Sequence, residues 1–283
     1  MYKIVIFDLD GTLLDTIGDL AEAGNRTCRK FGWPERDVET YRNFVGHGMR
    51  NLIARMAGYE DITRAGDKIN IDNNMIENAL DDFRKFYADC YMDLTKPFFH
   101  MPEILSGLKS AGVVMGVCSN KDDQFTRDLI EKFYPGVFGA VQGGRPNVPV
   151  KPDPAAALSV LRDLKAAAGL DPAAGLKILF AGDSATDIQT GRAAGLDVCS
   201  VTWGYRPAEK LKAARPDFLV HTPEELAAVI RGEKIADGRA ENGLGRTYRR
   251  PAGGVEKICN EIVTNENEIC NRTVMKKRNV INL

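Results

Sequence analysis

A chain of 283 residues with 44% hydrophobic and 27% charged content carries enough apolar material for one large domain or two modest ones, which excludes a wholly disordered protein. A formal charge of −1 offers no general attraction to nucleic acid or to an anionic membrane, so any anionic ligand has to be held by a local site. Cys28, Cys90, Cys118, Cys199, Cys259 and Cys270 form no Cys-x-x-Cys pair, and no run of residues reaches transmembrane length. The opening apolar run is too short for a secretory signal, and a reduced cytoplasmic setting without a membrane partner is expected.

In chain order, residues 3–7 read as a first strand. From residue 15 to residue 96 no convincing strand follows. Ile17, Leu20, Ala21, Gly24, Cys28 and Phe31 mark one helical stripe, Leu52, Ile53 and Met56 a second, and Ile76, Leu80, Phe83, Tyr87 and Cys90 a third. So long a stretch is no connecting loop, and 15–96 is expected to be a helical insertion, with Lys96-Pro97 returning the chain to the sheet. Helices are then expected at 102–111, 122–133, 154–168, 185–194 and 223–230, with strands at 113–118, 137–141, 177–181, 198–202 and 218–220. Most of these strands are apolar throughout, as in strands covered on both faces. Their alternation with helices predicts an α/β fold, a doubly wound, Rossmann-like parallel sheet built from 1–14 and 97–231. Residues 232–283 turn to Gly, Asn, Arg and Lys and read as a polar tail without an assigned function. Its short basic run Lys276-Lys277-Arg278 is no argument for nucleic acid.

Ligands of open α/β sheets bind beyond the carboxyl ends of the strands, so the polar residues ending each strand carry the functional reading. The first strand ends on Asp8-Leu9-Asp10-Gly11-Thr12, the second on Ser119-Asn120-Lys121. The third leads to Lys151-Pro152-Asp153-Pro154, and the fourth ends on Gly182-Asp183-Ser184-Ala185-Thr186-Asp187. Each piece alone is compatible with a turn or a helix cap. Together they crowd four acids, a hydroxyl and a lysine on one rim. Such carboxylates repel, and the natural compensator is an oxygen-loving divalent cation such as Mg²⁺.

With these motifs in this order, the sequence resembles the haloacid dehalogenase superfamily over residues 1 to 231. The insertion is similar to the helical cap of the subgroup that holds phosphoglycolate phosphatases and β-phosphoglucomutases. The resemblance implies that Asp8 attacks phosphorus and that Asp10 protonates the leaving oxygen and later activates water. It further implies Mg²⁺ held by Asp8, the backbone carbonyl of Asp10 and Asp183, with Asp187 acting through water or by orienting Lys151. Ser119 would donate to the phosphoryl oxygens and Lys151 offset their charge. Dehalogenation is not expected, because halide-displacing members lack the second acid.

Substrate contacts are expected from the glycine-rich loop of the insertion, where Gly46 and Gly48 permit close backbone approach. There His47 would donate to substrate and Arg50 grip a carboxylate; a plain turn with both side chains solvated is the other reading. Thr12 and Asn120 complete the candidate substrate contacts, while Trp203 and Tyr205 read as rim packing. The expected function is hydrolysis of a small phosphorylated metabolite, with 2-phosphoglycolate favoured, by a monomer or homodimer. A β-phosphoglucomutase-like phosphomutase, a pyrophosphatase and a nucleotidase are the alternatives. Mutases of this kind usually carry a bulkier apolar residue in place of Thr12, which favours hydrolysis.

Overall fold

The computed structural model of the protein describes residues 1–59, 72–146, 148–171 and 175–235. The run Ile-Val-Ile-Phe forms β1 (Ile4–Phe7), every residue of which is buried. The chain continues through β2 (Leu14–Asp15), α1 (Ile17–Phe31), α2 (Val38–Phe44), α3 (Met49–Met56), α4 (Asn73–Cys90) and β3 (Lys96–Pro97). Then come α5 (Met101–Ser110), β4 (Val114–Asp122), α6 (Asp123–Phe133), β5 (Ala140–Gly144), α7 (Ala155–Ala167) and β6 (Ile178–Gly182). The last elements are α8 (Ala185–Ala193), β7 (Asp197–Val201), α9 (Ala208–Ala213), β8 (Phe218–Val220) and α10 (Pro223–Arg231).

Six strands pair in parallel in the order β5-β4-β1-β6-β7-β8. The expected α/β class and parallel sheet are therefore present. Val5 and Phe7 pack on one face with Leu105, Leu129 and Leu226, whereas Ile4 and Ile6 pack on the other with Ala157 and Leu161. Coverage on both faces is why the strands show no polar alternation. From β1 the chain goes to β4 on one side and later to β6 on the other. The order thus reverses at β1 and β6, where the diverging connections leave a crevice beyond the strand ends.

Among the described residues, the four helices between β2 and β3 gather their apolar stripes into a cluster distinct from those of the sheet. Ile17, Leu20, Leu52, Ile53, Ile76, Phe83 and Tyr87 all belong to it. The two short strands pair antiparallel, Leu14 with Pro97 and Asp15 with Lys96, where the chain leaves and rejoins the sheet. Asp19, 1% exposed, secures the same neck. It accepts from the Leu94 amide at 2.9 Å and from the Thr95 amide and hydroxyl at 2.9 and 2.7 Å. α1 stops at Gly32, whose φ of 69° is the left-handed cap that glycine adopts without a Cβ penalty.

Two strands differ from expectation by more than a residue. β5 begins at Ala140, not at 137, because the ladder with β4 starts at Gly116–Ala140, and Val137 and Phe138 pack into the core ahead of it. β4 runs past 118 to Asp122 with an irregular register after Cys118, so Ser119, Asn120 and Lys121 belong to the strand. The helix α9 and the β2–β3 ladder were not expected. Both are too short to carry a periodic signal. Of the expected tail 232–283, residues beyond 235 lie outside the described residues, with Cys259 and Cys270 among them. Among the described residues no helix is long and apolar enough to cross a membrane.

Candidate active site

The crevice at the β1–β6 switch is lined from the sheet by Asp8, Asp10, Ser119, Asn120, Lys121, Lys151, Asp183, Ser184, Tyr205 and Arg206. Asp8 extends the ladder one residue past β1 by donating its amide to Ala181 at 2.9 Å, which sets its side chain beside the end of β6. Asp8, Asp183 and Asp187 are buried and each offers an oxygen within 4.8 Å of the others. Asp183 is enclosed by backbone. A Cβ on Gly11, whose φ is +82°, or on Gly204 would come within 2.4 Å of its Oδ2. The same carboxylate accepts from the Tyr205 amide at 2.6 Å. Ser184 caps α8, its Oγ accepting from the Asp187 amide while Asp187 Oδ2 takes the Ser184 amide and hydroxyl. This reciprocal capping box fixes Asp187 in the first turn of the helix.

Lys151 is 3% exposed, and its ammonium lies 2.7 Å from Asp8 Oδ1 and 2.7 Å from Asp187 Oδ1. Burial opposes that charge, yet Asp187 and Asp8 outweigh it and hold the amine firmly protonated. The backbone of Lys151 is held as well. Its amide donates to Asn120 Oδ1 at 2.8 Å, and its carbonyl accepts from Asn120 Nδ2 at 2.9 Å. The Ser119 hydroxyl, also buried, accepts from the Lys121 amide at 3.2 Å.

One ammonium does not neutralise three carboxylates. Burial, then Asp187, pushes the Asp8 carboxyl well above the usual range, although Lys151 pulls against them. Burial, then Asp187, pushes Asp183 up to about 7. An all-oxygen, buried and electrostatically strained donor set of this kind fits a hard divalent cation, whose charge would relieve the repulsion.

Asp10 stands on the other side of the crevice in a network that sequence reading missed. Its Oδ1 accepts from the Thr16 hydroxyl at 2.6 Å, and both oxygens meet Lys121 Nζ, at 3.1 and 3.3 Å. Lys121 is buried, its Nζ 4.6 Å from the centre of the Tyr87 ring on α4. Tyr205 closes the network, its hydroxyl accepting from the Thr16 amide at 2.8 Å. The available sequence signal was a lysine two residues after Ser119 at a strand end; Tyr205 read only as rim packing, and Thr16 and Tyr87 gave no sign of this network.

The helical side of the crevice is apolar or backbone: Leu20, Val45, Gly46, Gly48, Met49 and Leu52. Asn120 reaches it by donating to the Gly46 carbonyl at 3.1 Å, and Arg206 donates to the carbonyls of Arg42 and Val45. Of the expected substrate contacts, Gly46, Gly48 and Asn120 line the crevice, whereas His47, Arg50 and Thr12 do not. Arg50 turns outward, to Glu77 Oε1 at 2.8 Å and Asn73 Oδ1 at 2.7 Å. Its ion partner on α4 is 27 residues away in sequence, beyond the reach of a local motif. Thr12 is fully buried, and its carbonyl accepts from the Trp203 indole at 3.1 Å. Asn120 spends its amide on the backbone of Lys151 and Gly46, so the structure makes it a clamp rather than a free donor.

The sequence model of the haloacid dehalogenase-like hydrolases matches residues 5–201. The phosphoglycolate phosphatase of Pseudomonas putida is 33% identical over 232 residues, 81% of this chain and 79% of that one. The phosphoglycolate phosphatase of Aquifex aeolicus is 29% identical over 229 residues, covering 81% of this chain and 96% of its own. The crystal structure of a candidate phosphoglycolate phosphatase from Lactobacillus delbrueckii subsp. bulgaricus superposes with a TM-score of 0.71 at 30% identity, covering 81% of this chain and 98% of that one.

Proposed function

Because the chain belongs to the haloacid dehalogenase-like hydrolases and is a phosphoric monoester hydrolase, we propose that it hydrolyses 2-phosphoglycolate with Mg²⁺ through an aspartyl-phosphate. The observation that carries this reading is Asp8, held by Lys151 at 2.7 Å and grouped with Asp183 and Asp187 at the switch point of the sheet. Similarity to phosphoglycolate phosphatases over 81% of this chain supports the substrate. In this reading residues 1–14 and 97–231 are the catalytic core and 15–96 a cap over it.

Asp8 attacks phosphorus, forming the Asp8 Oδ–P bond as the ester P–O bond breaks, and the leaving alkoxide takes its proton from Asp10. Asp10 then accepts a proton from the water that attacks the aspartyl-phosphate, releasing phosphate and free Asp8. Ser119 donates to the equatorial oxygens while Lys151 offsets their charge. Asp8, Asp183 and the Asp10 carbonyl would hold Mg²⁺, which supplies further positive charge to the phosphoryl oxygens. Asp187 orients Lys151, consistent with its two oxygens being divided between Lys151 and Ser184. The free, buried thiols of Cys28, Cys90, Cys118 and Cys199 suit a reducing cytoplasm.

The metal assignment has a signature independent of turnover. In metal-free protein, Asp183 holds its proton to about pH 7 in the folded state but releases it near its ordinary value of 3.8 once unfolded. Across that window the folded state binds the extra proton, so raising the pH lowers stability by about 1.4 kcal/mol per pH unit from this group alone. Asp8, raised for the same reason, adds in the same direction. Thermal melts of metal-free protein should therefore fall as pH rises toward 7, and Mg²⁺ should raise the midpoint more at about pH 8 than at about pH 5. Equal effects of Mg²⁺ at both values would remove the metal from these carboxylates.

Phosphate release from 2-phosphoglycolate, sugar phosphates, nucleotides and pyrophosphate, with and without Mg²⁺, tests the activity. 2-Phosphoglycolate is expected to have the highest kcat/KM, with turnover lost on chelation. A higher kcat/KM for another ester would replace the substrate, and indifference to chelation would refute metal dependence.

A further inference from the structure

Three cations line the crevice, and two of them are already spent on carboxylates. Lys151 lies between Asp8 and Asp187, and Lys121 faces both oxygens of Asp10. Arg206 differs. Its guanidinium donates to the carbonyls of Arg42 and Val45, which are neutral acceptors; it feels the nearby Asp183, but among the described residues it forms no salt bridge. It follows Tyr205, whose amide binds Asp183, and a Cβ on Gly46 would lie 3.3 Å from its Nη2. Arg206 therefore stands at the seam between the buried acids of the crevice and the glycine-rich loop.

The leaving group of an ester whose phosphorus faces Asp8 must occupy the rest of the crevice. There the helical wall is apolar through Leu20, Val45, Met49 and Leu52, and the arginine expected to grip substrate, Arg50, is paired outside with Glu77. A guanidinium has five N–H donors in a planar fork, more than two carbonyls consume. A guanidinium bonded only to neutral carbonyls beside apolar walls favours an anion, and a carboxylate matches its fork.

We propose that Arg206 is a specificity-determining residue that receives the carboxylate of the leaving group, so that the site selects small phosphomonoesters carrying a second anion near the ester oxygen. The inference rests on the phosphatase reading above but not on one particular substrate.

The test compares wild type, Arg206→Gln and Arg206→Lys on two matched pairs of esters: 2-phosphoglycolate with 2-hydroxyethyl phosphate, and 3-phosphoglycerate with glycerol 3-phosphate. Wild type is expected to favour the carboxylate member of at least one pair. In Arg206→Gln its kcat/KM should fall by at least about ten-fold more than that of the neutral partner, chiefly through KM, as expected for a charge-assisted hydrogen bond. Arg206→Lys should recover part of the preference. An equal fall for both members would make Arg206 only a fastener of the Gly46 loop and overturn the proposal. So would a preference that survives in Arg206→Gln, or a wild type without any preference. If Arg206→Gln does not fold, the same ratio in Arg206→Lys decides, with an undiminished preference counting against the proposal. Collapse of the 3-phosphoglycerate pair with no turnover of 2-phosphoglycolate would uphold the role of Arg206 and refute the favoured substrate. Turnover of 2-phosphoglycolate with its preference intact in Arg206→Gln would do the reverse.

Discussion

Replacing Asp8 with Asn is expected to lower phosphate release by about 10⁴-fold or more, because an amide is no nucleophile toward phosphorus and no neighbouring group replaces it. Asn keeps the volume and a carbonyl oxygen able to accept from Lys151, so the loss should not reflect unfolding. The metal-free variant should in fact melt higher than wild type at about pH 8. The native Asp8 carboxyl is raised by burial, then Asp187 and Asp183, so its ionisation costs the folded state more than the unfolded one. Below the ordinary carboxylate range both forms are neutral, and the two melting points should converge. Mg²⁺ should also stabilise the variant less than wild type. Retained turnover in a homogeneous preparation would refute the nucleophile, and a lower melting point at about pH 8 would refute the electrostatic account.

Lys151→Met should be damaging in two separable ways. The ammonium is 2.7 Å from each of two buried carboxylates, and breaking a buried pair by removing one partner costs about 3–5 kcal/mol. The midpoint of thermal unfolding should drop by roughly 10 °C, since each kcal/mol is worth about 2–4 °C at this size. The drop should be smaller at acid pH, where the raised Asp8 and Asp183 carboxyls are already protonated. Mg²⁺ should restore part of the stability by supplying positive charge to the same acids. Activity should not follow, because the phosphoryl oxygens still lack the ammonium, and a loss of about 10²–10³-fold in kcat is expected even when folded and metal-loaded. Full activity after rescue by Mg²⁺ would reduce Lys151 to a structural counter-ion. An unchanged melting point in metal-free protein would mean that the Lys151 ammonium is no counter-ion to these carboxylates.

Much of the site was legible because its chemistry sits at the ends of strands. Asp8, Ser119 and Asp183 each directly follow or end an apolar run, and a parallel sheet carries such positions to one edge whatever the loops between them do. The helical stripes of Ile17 to Cys28 and of Ile76 to Cys90 were legible because the 3.6-residue period is local. Arg50 shows where local reasoning stops. An arginine after a glycine-rich loop has the right chemistry for a carboxylate, but its direction depends on Glu77 in another helix. Asn120 is similar: its sequence neighbours suggest a substrate contact, while its amide is committed to Lys151, 31 residues on.

By itself, the sequence determined the parallel α/β core, the helical insertion and the acids, hydroxyl and lysine of the crevice. Residue type, strand burial and helical period are properties of short segments. Only the tertiary structure decided how these charges are shared. The pairing of Lys121 with Asp10 joins residues 111 positions apart, and the hold of Tyr205 on Thr16 spans 189. Arg206 meets the loop at Val45 across 161. A side chain chooses such partners through the distance and dielectric of the folded interior, which no local pattern encodes. Two lysines thus end on carboxylates, and one arginine on backbone carbonyls of the helical side.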